Sequence, residues 1–333
     1  MKKILSVLFA LFLILGLTAC GGGESKESGS GSENKDAKQE SADTSEKVKV
    51  GYVINSLNDT FQTIIKETAE AYAAENNIEL IVADSQEDTI KQQDLTKSLI
   101  QKGVKGLIVV PTDTSAMDPI TSLAAEAKIP LAYLNRNPYA GKENSIPDNV
   151  YYVGADEIQA GILQMDFLGN KLNGKGGVAV LMGILGNEGA VKRTEGVEST
   201  MKEKYPDMTI LAKETGNWQR DQGLSLTENF ITTYGDKLSA IAANNDEMAL
   251  GAIEALKTND KLGKIMVVGV DATPDAIKSI ESGELDATVF QDPKQGEAAI
   301  KIIDTVLKGG NVSEKVQYIP FKLVTADNLE EFK

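Results

Sequence analysis

KVKVGYVINSLNDTFQTIIKETAEAYAAENNIELIVAD, residues 47–84, decides the fold. Residues 48–54 are β-branched and apolar and read as a strand, residues 60–75 have helical spacing, and residues 78–83 are a second strand candidate. A strand, a polar cluster, a helix and another strand in that order are the unit of a parallel sheet covered by helices.

Outward from this unit the same alternation continues. Further strands are expected at 106–110, 130–134, 178–182, 208–212, 240–243, 265–270 and 287–290. Helical spacing fills 88–101, 115–127, 158–172, 190–204, 219–233, 247–257, 274–282 and 294–307. About 285 residues with roughly ten strands exceed one ordinary domain, so the fold class is α/β with two Rossmann-like lobes of similar size. Residues 140–149, rich in Pro, Gly and Asn, read as a loop near a crossover between the lobes.

Toward the N-terminus, Lys2 and Lys3 precede an apolar run at 4–17 that ends in Thr18, Ala19 and Cys20. The run is too short for a membrane span and ends in small residues, as an export signal does. Leu17-Thr18-Ala19-Cys20 resembles the bacterial lipobox, in which cleavage exposes a cysteine that then carries a diacylglycerol anchor. Residues 1–19 are therefore expected to be a lipoprotein signal peptide. The lipidated Cys20 and residues 21–46, which are Gly, Ser, Glu, Lys and Asp with almost no apolar side chain, form a tether.

Loss of Lys2 and Lys3 takes the formal charge from −15 to −17, which makes nucleic acid a poor partner and favours a neutral or cationic ligand over a phosphate. The sequence has no histidine and a single cysteine. Ser-His-Asp, Cys-His and histidine–metal chemistries are excluded on that ground. A phosphate loop would put its glycines at a helix N-terminus, whereas Gly-Lys-Gly-Gly at 174–177 precedes a strand and reads as a turn.

Ligands of open α/β sheets bind beyond the carboxyl ends of the strands. Polar clusters fall there repeatedly: Asn58-Asp59-Thr60-Phe61, Asn135-Arg136, Asn244-Asn245-Asp246, Asp271 and Gln291. Each has an alternative reading, Asp59 or Asp246 as a helix cap, Asp271 as the cap of the helix near Pro274, and Arg136 as a surface ion pair. Taken together, with Phe61 and the single tryptophan, Trp218, they make a polar ring with aromatic covers. Such a ring suits a monosaccharide, whose hydroxyls need both donors and acceptors and whose C–H faces stack on aromatic rings.

Six segments carry a family resemblance: Val110-Pro-Thr-Asp113, Pro130-Leu-Ala-Tyr-Leu-Asn-Arg136, Arg193-Thr-Glu-Gly196, Asn245-Asp-Glu-Met-Ala-Leu-Gly-Ala252, Val268-Gly-Val-Asp-Ala-Thr-Pro-Asp275 and Ala287-Thr-Val-Phe-Gln291. Over residues 47–325 the chain resembles the periplasmic binding proteins for ribose and for galactose or glucose. The resemblance implies a non-enzymatic, monomeric, extracytoplasmic solute-binding protein. It needs no cofactor or metal, hands a sugar to ABC transporter permease subunits, and is lipid-anchored to a membrane of Gram-positive type. It also implies one lobe of residues 47–155 and 292–320 and another of 156–291 and 321–333, with chain crossings near 155–156, 291–292 and 320–321.

The family's sugar contacts carry over to Asn55, Asp59, Phe61, Asn135 and Arg136 on the first lobe, and to Arg193, Trp218, Asn245, Asp271 and Gln291 on the second lobe or its hinge. Arg193 would donate, Asp59 and Asp271 would accept, and Phe61 and Trp218 would sandwich the ring. Asp59, Asn135 and Trp218 resemble the choices of hexose binders rather than ribose binders, so a hexopyranose such as glucose or galactose is favoured. Against this, the hexose binders' His and Asp ahead of the Arg193 position correspond to Asn187 and Gly189, and their calcium loop has no counterpart near 173–177. Myo-inositol or a pentose stays open. A repressor of the lactose type shares the core but would carry a DNA-binding segment in place of the signal, and a sugar-sensing accessory of a chemoreceptor or histidine kinase would share the pocket.

Overall fold

The computed structural model describes residues 46–333, so the expected signal peptide, Cys20 and nearly all of the tether lie outside the described residues. The opening unit forms as its pattern predicts. β1 (Val48–Ile54) and β2 (Ile78–Asp84) run parallel in register from Val48–Ile78 to Ile54–Asp84. Between them α1 (Thr60–Glu75) starts where the Asp59 carboxylate accepts the Gln62 N–H, a cap that satisfies one of the free donors of the first turn.

The chain continues through α2 (Thr89–Gln101), β3 (Gly106–Val109), α3 (Asp118–Ala127), β4 (Leu131–Asn135) and β5 (Val150–Gly154). It then crosses to a second lobe made of α4 (Glu157–Lys171), β6 (Gly176–Met182), α5 (Glu188–Lys204), β7 (Met208–Thr215), α6 (Arg220–Tyr234), β8 (Leu238–Ala243), α7 (Asp246–Thr258), β9 (Met266–Val268), α8 (Pro274–Glu281) and β10 (Thr288–Phe290). It returns for α9 (Gln295–Leu307) and β11 (Val316–Tyr318), and crosses a third time to β12 (Lys322–Val324).

The first sheet has the order β11-β5-β4-β3-β1-β2 and is parallel throughout. The second has the order β7-β6-β8-β9, also parallel, and is prolonged by single bridges from Val268 to Ala287 and from Asp271 to Phe290. β10 and β12 pair antiparallel beside it. Each lobe is thus a doubly wound α/β layer with helices on both faces.

Because successive strand residues point to opposite faces, each sheet feeds two cores. Tyr52, Ile54 and Ile108 pack with Ile65 of α1 and Ile300 and Ile303 of α9, while Val53, Leu107 and Tyr133 pack with Leu99 and Ile120 on the other face. In the second lobe, Leu181 and Ile241 face Met248, Ile253 and Leu256, and Val180 and Ala240 face Leu168 and Val197. Among the described residues no helix is long and apolar enough to cross a membrane.

Three strands, β5, β11 and β12, lie outside the strands expected from the sequence, and β9 is shorter than 265–270. The loop at 140–149 joins β4 to β5 within one sheet and lies near a crossing, since the Tyr318 hydroxyl at the end of β11 donates to Glu143 (3.0 Å).

Candidate functional site

The carboxyl ends of the two sheets face each other, and the side chains leaving them line a cavity between them. From the first lobe come Asp59, Phe61 and Gln62 at the start of α1, and Asn135 and Arg136 at the end of β4. Glu157 begins α4 at the first crossing. Asn187, Gly189 and Arg193 come from α5 and its cap, Trp218 from the turn after β7, Asn245 from the cap of α7, Asp271 from the segment after β9, and Gln291 from the end of β10.

All but one of the expected site residues line this cavity. The exception is Asn55, which is fully buried behind the wall, where its Nδ2 donates to Glu87 (2.6 Å). The lining residues not expected as contacts are Gln62, Glu157, Asn187 and Gly189.

The alternative readings of single residues resolve differently. Asp59 is a helix cap and a lining residue at once. Asp246 is a brace of the second lobe, its two oxygens accepting from Thr288 Oγ1 (2.6 Å) and the Thr273 N–H (2.8 Å), and α7 is capped by Asn245 instead. Thr273 caps α8, which leaves Asp271 facing the cavity. Arg136 is only 4 % exposed and so is no surface pair: its Nη1 donates to the Pro111 carbonyl (2.9 Å) and to Glu87 (3.4 Å), and Asp59 lies 3.7 Å from Nη2.

Arg193 is held as firmly. Its Nε donates to Glu157 (2.5 Å) and its Nη1 to the Asn244 carbonyl (2.6 Å), with Asp271 3.8 Å away. Its guanidinium also lies 5.7 Å from the Trp218 ring centre and 5.8 Å from that of Phe321. Gln62, Asn135, Gln291 and Gln295 form an amide chain across the lobes: Gln62 donates to Asn135 (2.6 Å), and Asn135 donates to Gln291 (2.5 Å) and Gln295 (3.1 Å). Three buried polar atoms of the lining, Gln62 Oε1, Asn187 Nδ2 and Trp218 Nε1, have no hydrogen-bond partner in the protein. Buried polar groups are rarely left so.

The indole is seated by unusual backbone. Asn217 and Trp218 both have positive φ, 51° and 66°, and Asp271 has φ 122°, conformations that cost L-residues free energy and concentrate at binding sites. A Cβ on Gly183 would overlap the indole, so only glycine leaves it room.

Burial raises the Asp59 carboxyl above its ordinary range despite Arg136, and burial raises Asp271 well above it despite Arg193. Glu188, at the first turn of α5, is pushed up to about 8 by burial and by the neighbouring Glu157 charge. At the rim the lobes touch: Thr60 donates to Glu247 (3.1 Å), the Thr114 N–H to the Gly186 carbonyl (3.2 Å) and the Asn137 N–H to Glu188 (3.4 Å). The guanidiniums are tied in hydrogen bonds to glutamates and backbone carbonyls, while Asp59 and Asp271 accept from neutral donors, the Gln62 N–H and Gln291 Nε2 (3.1 Å each).

Comparison with known proteins agrees with this geometry. The profile of a family described as a periplasmic binding protein domain matches residues 50–311. The ribose import binding protein RbsB of Salmonella typhimurium is 34 % identical over 285 residues, covering 85 % of this chain and 93 % of that one. A provisionally named rhizopine-binding protein of Rhizobium meliloti is 38 % identical over 288 residues, covering 85 % and 92 %. Among solved structures, an ABC transporter solute-binding protein of Bacillus halodurans with bound myo-inositol superposes with a TM-score of 0.80 at 35 % identity, covering 87 % of this chain and 98 % of that one.

Proposed function

The chain belongs to the periplasmic binding protein family, as a sugar-binding, non-enzymatic component of an ABC transporter acting outside the cytoplasm, and from that premise we propose that its ligand is a six-membered polyhydroxylated ring. The observation that carries the choice is the pairing of Phe61 and Trp218 with charged and amide groups from both lobes around one cavity. A hexopyranose such as glucose or galactose presents hydroxyls to Asp59, Arg136, Arg193 and Asp271 and its C–H face to the indole. Myo-inositol presents the same chemistry around its whole rim, and the myo-inositol complex of the Bacillus halodurans protein supports including it. A furanose uses less of the indole.

The same proposal assigns the sugar contacts to Asp59, Phe61, Asn135, Arg136, Arg193, Trp218, Asn245, Asp271 and Gln291, adds Gln62, Glu157 and Asn187, and keeps Asn55 as support behind Glu87. Cys20 is proposed as the lipid anchor of the mature protein. The test is a titration of the purified protein with glucose, galactose, myo-inositol, xylose and ribose, followed through the fluorescence of its single tryptophan. One of the first three should bind tightest; tightest binding by ribose, or no fluorescence response to any of the five, refutes the assignment.

A further inference from the structure

The charges around the cavity do not balance. Arg136 gives its Nη1 hydrogen bonds to Glu87 and the Pro111 carbonyl, and Arg193 gives its own to Glu157 and the Asn244 carbonyl. Each guanidinium is therefore matched by a glutamate before Asp59 and Asp271 are counted. Those two carboxylates sit at 3.7 and 3.8 Å from the arginines, beyond hydrogen-bond reach, and no lysine forms an ion pair with either among the described residues. They belong to opposite lobes and line the same cavity. The carbonyl Oε1 of Gln62, a residue only 3 % exposed, is a further acceptor on this wall and has no partner in the protein.

A neutral polyol satisfies such acceptors with hydroxyl protons but brings no positive charge to the two buried carboxyl groups. A primary ammonium brings three donors, no acceptor and one positive charge. Resting on the polyol reading above, we propose that the site takes an amino-substituted six-membered polyol, its protonated amine held between Asp59, Asp271 and Gln62 Oε1. Hydrogen bonds between ionised partners are shorter and about twice as strong as neutral ones, and in a closed cavity they escape screening by salt. The net acidity of the whole chain favours the same charge in solution.

Calorimetric titration of the protein at pH 6.5 compares D-glucosamine, D-galactosamine and an amino-deoxy-myo-inositol with glucose, galactose and myo-inositol. At least one amine should bind tighter than its own neutral parent by about tenfold or more. Asp271→Asn, and independently Asp59→Asn, should reduce that amine-to-parent ratio toward one, whatever either does to affinity for the neutral compound. The inference is overturned if every neutral parent binds as well as its amine, or if the ratio survives in both variants. Tight neutral binding without amine preference would sink this inference and leave the polyol reading standing, whereas failure of all six compounds to bind would sink both.

Discussion

Gly183→Ala is the sharpest test at the scale of single residues, because it adds one methyl where the indole of Trp218 lies and touches no polar group of the site. The neighbours cannot absorb it: Trp218 is already in left-handed backbone, and its ring is backed by Arg193. Overpacking of this kind costs about 1–3 kcal/mol. The expected result is a polyol affinity lower by about tenfold or more and a shifted tryptophan emission in the ligand-free protein, with secondary structure retained by circular dichroism. Unchanged affinity would show that the indole does not meet the ligand. Arg193→Lys should be as damaging despite its kept charge. A lysine cannot serve Glu157 and the Asn244 carbonyl together, and a buried carboxylate left without its partner costs about 3–5 kcal/mol. Chemical denaturation reads that loss directly.

At the scale of elements, the contact between the first turn of α5 and the loop after β4 makes stability depend on pH. The Glu188 carboxyl is raised from an ordinary 4.5 to about 8, so it is neutral more readily in the folded chain than in the unfolded one. A raised group contributes stability that is complete below the unfolded value and is lost as pH climbs through the folded one. The melting temperature should therefore fall between pH 5 and pH 9, by roughly 2–4 °C for each kcal/mol withdrawn, and Glu188→Gln should flatten that fall. A profile that Glu188→Gln leaves unaltered would remove Glu188 from the account. Of the groups around it, Lys192 and Arg193 share its helix, whereas Glu157 and the Asn137 N–H come from elements distant in sequence. That distance is why Glu157 could not be read as a site residue. An acidic residue in the first turn of a helix has a sufficient local reason to be there. By contrast, α1 was legible to the residue, since Asp59 ends the strand's polar cluster and caps the helix in one step. β5 was overlooked because its apolar run follows directly on a Pro- and Asn-rich loop. β11 and β12, three residues each, are too short to show a period and exist through their pairing with β5 and β10.

At the scale of the whole molecule, the rim contacts Thr60–Glu247, Thr114–Gly186 and Asn137–Glu188 join lobes that are linked covalently by three chain passages. A ligand touching both lobes favours the arrangement in which they meet. Small-angle scattering should give a smaller radius of gyration with saturating ligand than without, and equal radii would mean that the lobes do not move. In a bacterial host, Cys20→Ser should abolish fatty-acid labelling of the mature protein, and labelling that persists would refute the anchor. The three passages also interleave the lobes along the chain. Ile300 and Ile303 of α9, and the edge strand β11, complete the first lobe, yet they are synthesised after nearly all of the second. The first lobe's core therefore lacks these side chains and its edge strand while more than a hundred later residues are being made. A first lobe short of two core isoleucines and its edge strand should reach its full stability only after nearly all of the second lobe has been made.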